Sequence, residues 1–275
     1  LHGDTLILKS DLTWQPIRRV EIGANLVAVD EFSPGGRGKG RKMRTCLVTN
    51  KFERVSGGLR ISLNDGRSLV MTGNHRMLCR KRTCPELEWR RADAMKIGDS
   101  IRFVTSETWG SPSYEDGWFG GILDGEGSMP IERYGMQANA TQVEGPVLER
   151  MRAYVKSKGY ASREEWDARE PGDSSKLGKR PVCRIVISRM NELFRLVGEC
   201  RPIRFINRRW WEGKDLPGKK SGEAVSEIVG IEMAPSQTMY DLQTTTSTFI
   251  AEGLVSHNSS ETLAWFFHGT LFSPN

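Results

Sequence analysis

Val255-Ser256-His257-Asn258-Ser259, behind the apolar run Phe249-Ile250-Ala251, is the most informative stretch of this chain. The side-chain amide of Asn258 can attack its own main-chain carbonyl carbon, close a succinimide and release whatever follows. His257 is placed to protonate the leaving group or to polarise that carbonyl. Ser259 supplies an oxygen nucleophile across the same bond. The stretch predicts a chain that cuts its own backbone, and an ordinary polar turn is the alternative.

Further blocks lie at the start of the chain and between the two ends. The chain opens Leu1-His2-Gly3-Asp4-Thr5-Leu6-Ile7, and Met71-Thr72-Gly73-Asn74-His75-Arg76-Met77-Leu78 follows. Tyr240-Asp241-Leu242 then precedes Phe249-Ile250-Ala251-Glu252-Gly253, ahead of Ser256-His257-Asn258-Ser259. In this order the four blocks resemble the splicing blocks of inteins. The resemblance spans the chain and implies a Hint-like domain, a mostly β horseshoe of strands that excises itself from a precursor.

The intein resemblance assigns residues to the first splicing step. In that family a Cys or Ser at the start of the domain converts the upstream peptide bond to a thioester or ester. Leu1 follows that position, so the nucleophile is expected immediately before Leu1; otherwise the first step is disabled. Thr72 and His75 match the block that protonates and hydrogen-bonds the scissile amide.

The same resemblance assigns the later steps. It implies that Ser259 attacks the ester while Asp241 manages protons, and that Asn258 then cyclises with help from His257. An oxygen-to-nitrogen shift joins the flanking segments, and no cofactor is expected for this chemistry.

The bulk composition favours a globular protein without a membrane span. Of the 275 residues, 37% are hydrophobic and 27% are charged, and no apolar run reaches membrane-spanning length. Five cysteines, an odd number, argue against a full disulfide framework, and no second pair completes a zinc site around Cys79 and Cys84. A cytoplasmic location is therefore expected. The net charge of +6 permits a polyanionic partner.

The middle of the chain differs from its two ends. Short β-branched runs, among them Ser68–Met71, fill the first hundred residues and are separated by glycine pairs such as Gly57-Gly58, and strand character returns after Ser226. Asn64-Asp65-Gly66 between two such runs predicts a hairpin. Between them, helical and strand patterns alternate as αββαββα, ending with a helix predicted over Met190–Val197 and closed by Gly198. The predicted domains are a split β domain over 1–111 and 227–258, an α/β insertion over 112–226, and a flanking segment over 259–275.

The first helix of the insertion carries Phe119-Gly120-Gly121-Ile122-Leu123-Asp124-Gly125-Glu126-Gly127. This run resembles the LAGLIDADG motif of homing endonucleases. The resemblance implies close packing of helices at Gly120 and Gly121, a structural role for Asp124, and delivery of the Glu126 carboxylate to the cleavage site. A hard carboxylate oxygen is what Mg²⁺ needs, so Glu126 is the expected metal ligand. The alternative is an ordinary helix end with an incidental acid.

A basic segment near the end of the insertion suggests contacts to phosphate. Single-motif members of the endonuclease family cleave as homodimers. The resemblance therefore implies pairing through the acidic helix on double-stranded DNA. The expected DNA-contacting residues are Arg201, Arg204, Arg208 and Arg209.

Residues 259–275 are expected to be a fragment of the host protein, the C-terminal flanking extein. Ser259 to Phe267 reads as a helix start followed by an apolar helical run. It resembles the segment after the phosphate-binding loop of phage terminase ATPases, and an arbitrary amphipathic helix is the alternative. Two other readings of the whole chain remain: a free-standing DNA-binding or endonuclease protein without splicing, and a hedgehog-type autoprocessing domain, which would not need Asn258.

Overall fold

The computed structural model describes residues 1–34, 40–132, 135–167, 180–216 and 224–258. Its chain divides into two compact units. The first comprises Leu1–Ser10, Trp14–Thr108 and the chain from Trp211 onward, and the second comprises Asp11–Thr13 and Trp109–Trp210. Ser259 and the expected host segment lie outside the described residues.

Strands dominate the chain, and they are numbered here in sequence order. The elements of the first half are β1 (Leu6–Leu8), β2 (Trp14–Pro16), β3 (Asn25–Val29), β4 (Met43–Leu63), β5 (Ser68–Met71), β6 (Arg76–Arg80), β7 (Leu87–Arg91), β8 (Ser100–Arg102) and α1 (Tyr114–Gly125). Those of the second half are β9 (Gly127–Ser128), β10 (Ile131–Glu132), β11 (Gly135–Met136), β12 (Ala138–Val143), α2 (Pro146–Lys158), β13 (Ser162–Asp167), β14 (Val182–Ile187), α3 (Met190–Cys200), α4 (Ile203–Ile206), β15 (Val225–Thr244), β16 (Thr248–Ala251) and β17 (Leu254–His257).

The first unit is mostly β. Within the described residues its strands form one sheet in the order β2-β1-β16-β17-β6-β8-β15-β4-β3, with β5 on β4 and β7 on β6. Strands β1, β16 and β17 are neighbours in this sheet, and β17 pairs with β6. The first and last strands of the unit therefore lie close together, although most of the sequence separates them.

Strands β4 and β15 form a long antiparallel ribbon that the sequence did not predict as single strands. Their ladder runs from Ile228 opposite Leu63 to Thr244 opposite Val48. The glycine pair Gly57-Gly58, expected to punctuate two strands, continues one. A Cβ on Gly58 would lie 2.7 Å from the Met71 carbonyl oxygen, so this glycine allows close approach of backbones rather than a turn.

The predicted hairpin at Asn64-Asp65-Gly66 is confirmed. It joins β4 to β5, with Leu63 N–H donating to Arg67 O at 2.9 Å and Gly66 at φ +87°. Strand β5 has the bounds that the sequence predicts. This hairpin fixes where the chain leaves the sheet before Thr72.

The core of the first unit holds both ends of the splicing-block pattern. Leu1 is 1% exposed, and Phe249 and Val255 are fully buried. Strands β16 and β17 are buried along their whole length, and the burial of these apolar side chains is the main stabilising contribution to the unit. Among the described residues, no helix is long and apolar enough to span a membrane.

The second unit combines helices with a small sheet. Its sheet order is β13-β14-β12-β9, and β10 pairs antiparallel with β11 in a separate two-stranded sheet. Helix α1 begins with a capping box between Ser113 and Asp116, and α2 begins at Pro146 and ends at Gly159 in the left-handed conformation. The order of helices and strands follows the predicted αββαββα pattern, apart from the additional β10–β11 pair and the short α4.

Two predicted boundaries in the middle of the chain differ from those observed. Helix α3 continues to Cys200 instead of ending at Gly198. A Cβ on Gly198 would lie about 2.2 Å from the Trp109 indole, so this glycine makes room for an aromatic ring. The insertion was predicted to end at residue 226, but the residues after Trp210 belong to the first unit. There, Met43 N–H donates to Lys214 O at 2.8 Å.

Candidate active site

Asn258 follows directly after β17 and is 9% exposed. Its main-chain N–H donates to Ser247 O at 2.9 Å. In the amide orientation that satisfies its neighbours, Nδ2 donates to Leu242 O at 3.0 Å and to Ser247 O at 3.3 Å. Its Oδ1 accepts from Thr244 N–H at 3.0 Å. The β15–β16 turn therefore holds the side-chain amide in one orientation.

His257 contacts the carbonyl oxygen of the peptide bond that an Asn258 cyclisation would break. Its Nδ1 lies 2.5 Å from Asn258 O, and its Nε2 lies 2.9 Å from the Glu31 carboxylate oxygen Oε1. Both neighbours are hydrogen-bond acceptors, and only the doubly protonated imidazole donates to both. A protonated ring in this position would polarise the carbonyl.

Glu31 and Trp89 complete this half of the site and were not among the predicted residues. Trp89 Nε1 donates to Glu31 O at 2.8 Å, and the Trp89 ring meets the His257 ring edge-on with centroids 4.8 Å apart. Glu31 follows β3, and its sequence neighbourhood is an unremarkable acidic turn. Strand β3 is not a neighbour of β7 or β17 in the sheet, so tertiary packing rather than strand pairing brings these three residues together.

His75 lies in the turn after β5 and is 1% exposed. The main-chain N–H of His75 donates to Thr72 O at 3.0 Å. The predicted Thr-x-x-His block therefore forms a tight turn, in which Thr72 is also buried. The ring nitrogen Nε2 lies 2.7 Å from the hydroxyl of Ser256, a residue that the sequence did not single out for a role. Burial holds the pKa of His75 well below 6.5, and the positive charges of the Leu1 amino group and His257 lower it further. His75 is therefore neutral at neutral pH.

Leu1 forms a reciprocal main-chain pair with Tyr240. Leu1 N donates to Tyr240 O, and Tyr240 N–H donates to Leu1 O, each at 2.7 Å. Burial lowers the pKa of the Leu1 amino group to about 6, against the opposing effect of the Asp241 carboxylate. Asp241 therefore lies within electrostatic reach of the Leu1 nitrogen.

The site brings the predicted residues of the two chain ends into one neighbourhood. The Leu1 amino group and His257 both act electrostatically on His75. His257 also stands opposite Arg76, the residue after His75, in the β6–β17 ladder. Asp241 lies on the Leu1 side and Thr72 in the turn that leads to His75, whereas Asn258 and His257 form the other side. Ser259 falls outside the described residues.

The predicted acidic residues of the second unit lie at the end of α1. Glu126 is exposed and borders an open depression of about 620 Å³ that Glu165, Asp167 and Arg184 also line. No group of three or more metal-ligating side chains occurs within the described ranges. Asp124 accepts from Ile203 N–H at 3.0 Å and from Arg204 N–H at 2.9 Å, so its carboxylate caps α4.

The two predicted packing glycines of α1 have different surroundings. A Cβ on Gly120 would lie 2.1 Å from Cys200 O, so Gly120 packs against the end of α3. Gly121 is exposed, and nothing lies within 4 Å of the corresponding position. Helix α1 therefore buries one of these glycines and leaves the other open.

The four predicted DNA-contacting arginines do not share one environment. Arg201 donates to Asp11 O at 3.2 Å, and Arg204 donates to Asp124 O at 2.7 Å, so both guanidinium groups bind main-chain carbonyls of their own unit. Arg208 and Arg209 are exposed. The tryptophans that follow them, Trp210 and Trp211, are 2% and 1% exposed and are not available for stacking on bases.

Solved inteins are among the structures that the chain is similar to. A DnaB intein from Synechocystis sp. PCC 6803 matches at 12% identity and a TM-score of 0.41, over 94% of this chain and 96% of that one. The gp41-1 intein matches at 9% identity and a TM-score of 0.40, over 94% and 97%. A transcription factor IIB Mvu mini-intein matches at 12% and 0.40, over 93% and 97%. No family model and no curated protein sequence matches the chain. These likenesses are too distant to carry a function.

Proposed function

We propose that this chain excises itself from a longer precursor by autocatalytic protein splicing. The observation that carries the proposal is the contact of His257 Nδ1 with the Asn258 carbonyl oxygen at 2.5 Å. This contact supports a role for the imidazole as proton donor to the one carbonyl that the adjacent side-chain amide can attack. A free-standing DNA-binding protein has no use for this arrangement, and a hedgehog-type domain has no use for Asn258.

The C-terminal step follows from the groups around Asn258. Its Nδ2 attacks its own carbonyl carbon, closes a five-membered succinimide and breaks the peptide bond to Ser259. Nδ2 loses a proton, and the departing amine gains one. His257 stabilises the negative charge that develops on the oxygen. The contacts of the amide with Leu242 and Thr244 support this step, since they hold the attacking group beside its target and reduce the entropy lost on reaction.

The N-terminal step is proposed at the Leu1 side of the site. The residue before Leu1 supplies a thiol or hydroxyl that attacks the preceding carbonyl, and the amide nitrogen leaves with a proton. Ser256 engages His75 Nε2, so Nδ1 is the ring nitrogen that remains for the junction. Thr72 and Asp241 assist by hydrogen bonding and proton transfer. Ser259 then takes over the acyl group, and an oxygen-to-nitrogen shift joins the flanks.

Cyclisation of Asn258 can be tested on the chain itself, because this step needs only the folded domain and its C-terminal flank. Intact-mass measurements over time should show slow loss of the 259–275 peptide and a remaining chain that is one water lighter than residues 1–258. Asn258→Ala should abolish both signals. Equal release from the Asn258→Ala variant would assign the cleavage to a contaminating protease and reject the proposal.

A second candidate function, cleavage of double-stranded DNA, is proposed for the second unit. The exposed Glu126 at the end of α1 favours it, together with the open face at Gly121 that a second copy could cover. Glu126 offers one hard oxygen ligand to Mg²⁺, which proteins often bind through one or two carboxylates with phosphate and water. A homodimer would bring a second Glu126 to the site.

This second function has its own test. The chain is incubated with a pool of random duplex DNA and Mg²⁺, and cleaved ends are sequenced for an enriched motif. Glu126→Gln should remove the enrichment, whereas Glu149→Gln, an exposed acid on α2, should not. No enrichment with the parent chain, or equal enrichment with Glu126→Gln, would reject the assignment.

A further inference from the structure

Glu31 is the acidic group that contacts His257, and its main chain is held in place. Glu31 O accepts from Trp89 Nε1 at 2.8 Å and from Arg41 Nε at 3.2 Å. Its carboxylate oxygen lies 2.9 Å from His257 Nε2. The His257 side chain is 9% exposed and that of Glu31 is 30% exposed, so water screens their interaction only in part.

The ring of His257 is fixed from three directions. Glu31 holds Nε2, the Asn258 carbonyl meets Nδ1, and the Trp89 ring packs edge-on at 4.8 Å. A carboxylate on one imidazole nitrogen is a recurrent device in catalytic sites, because it selects the tautomer and stabilises the protonated ring. Without an acceptor at Nε2, the ring could rotate or present a lone pair to the carbonyl oxygen.

Two arginines also lie near His257. Arg76 stands opposite His257 in the β6–β17 ladder, and the Arg41 guanidinium lies over the Trp89 ring at 5.7 Å from its centroid. His75 is near enough for the two rings to affect each other, and it is neutral at neutral pH. Glu31 is the carboxylate in direct contact with the ring among the described residues.

We propose that Glu31 is a positioning residue for His257, which it holds with Nδ1 directed at the Asn258 carbonyl. The inference rests on the proposed splicing function and concerns its last cleavage step. Glu31 does not touch the reacting atoms, and it acts through the orientation and charge of the imidazole.

The test is the rate of release of the 259–275 peptide between about pH 5 and about pH 9, followed by intact mass. Glu31→Gln keeps the size of the side chain and an acceptor oxygen but removes the charge. Release should slow about tenfold near neutral pH, and the alkaline limb of the rate profile should move, since the substitution removes the charged partner of the ring. Glu31→Asp should restore the limb in part.

Two controls make the outcome decisive. Glu21→Gln makes the same change at an exposed site of the same unit and should leave the profile unchanged. A Glu31→Gln profile that keeps its shape, with rates equal to the parent or uniformly lower, would overturn the inference. If Asn258→Ala stops release while Glu31→Gln matches the parent, only the role of Glu31 fails. If the parent releases nothing, or Asn258→Ala releases equally, the splicing proposal fails and this inference falls with it.

Discussion

His75 and His257 lie in the same neighbourhood, yet their surroundings favour opposite protonation states. His75 is 1% exposed and its Nε2 faces the hydroxyl of Ser256, which can either donate or accept. His257 faces a carbonyl oxygen and a carboxylate, which only accept. One site therefore suits a neutral ring and the other a protonated ring. The difference shows how two histidines in one site can each serve a different bond-breaking step, because one faces a hydroxyl and the other faces two acceptors.

The largest expected effect is a separation of the two cleavages by single substitutions. His257→Ala should slow release of the 259–275 peptide by about a hundredfold or more, since a positioned proton donor is commonly worth that much. His75→Ala should leave this release within about threefold of the parent. In a precursor with Cys before Leu1, thiol-induced cleavage at the upstream junction should show the reverse order. Equal effects of both variants on both junctions would contradict separate roles for His75 and His257.

A smaller effect is expected in the dependence of stability on pH. The folded chain keeps His75 neutral, whereas the unfolded chain protonates it near 6.5. The unfolded state therefore binds an extra proton below that pH, and stability falls as the pH falls through 6.5 by at most about 1.4 kcal/mol per pH unit. Urea unfolding of the parent and of His75→Gln at about pH 7.5 and about pH 5.5 measures the difference. Parallel pH slopes for the two proteins would contradict a neutral His75.

The smallest expected effect concerns the hydroxyl that faces His75. Ser256→Ala leaves a buried ring nitrogen without its partner and should cost about 1–3 kcal/mol of unfolding free energy. Thiol-induced cleavage at the upstream junction should slow more than release of the 259–275 peptide, because the hydroxyl contacts His75 and not His257. Ser33→Ala, at an exposed serine of the same unit, is the control. An equal slowing of both cleavages would show that Ser256 acts through the fold alone.

Site residues that lie in short local patterns could be predicted from the sequence. Thr72-x-x-His75 and His257-Asn258 each carry their spacing within a few residues, and the turn and strand end that hold them form as local units. Glu31 lies 226 residues from His257, and no pattern around it distinguishes it from a surface acid. The strands next to them, β3 and β17, are not neighbours in the sheet, and β3 meets β16 through Val29 and the Thr248 hydroxyl. The packing of the whole unit therefore joins Glu31 to His257.

The roles of individual glycines also limited how much of the fold could be predicted from the sequence. The sequence predicts the role of Gly66 correctly, because the turn between β4 and β5 needs a residue with positive φ. Gly58 and Gly198 carry the same letter but make room for Met71 O and the Trp109 ring. Both contacts are tertiary, so a sequence pattern cannot separate these glycines from those that end an element.

Self-excision is tested most directly with a precursor that has Cys placed before Leu1, a reporter upstream and residues 259–275 extended by a second reporter. After incubation under reducing conditions, intact mass should reveal the two reporters joined by a peptide bond and a separate excised domain ending at Asn258. Asn258→Ala should prevent the ligated product. Intact precursor alone, with no ligated product and no excised domain, would contradict the proposed function.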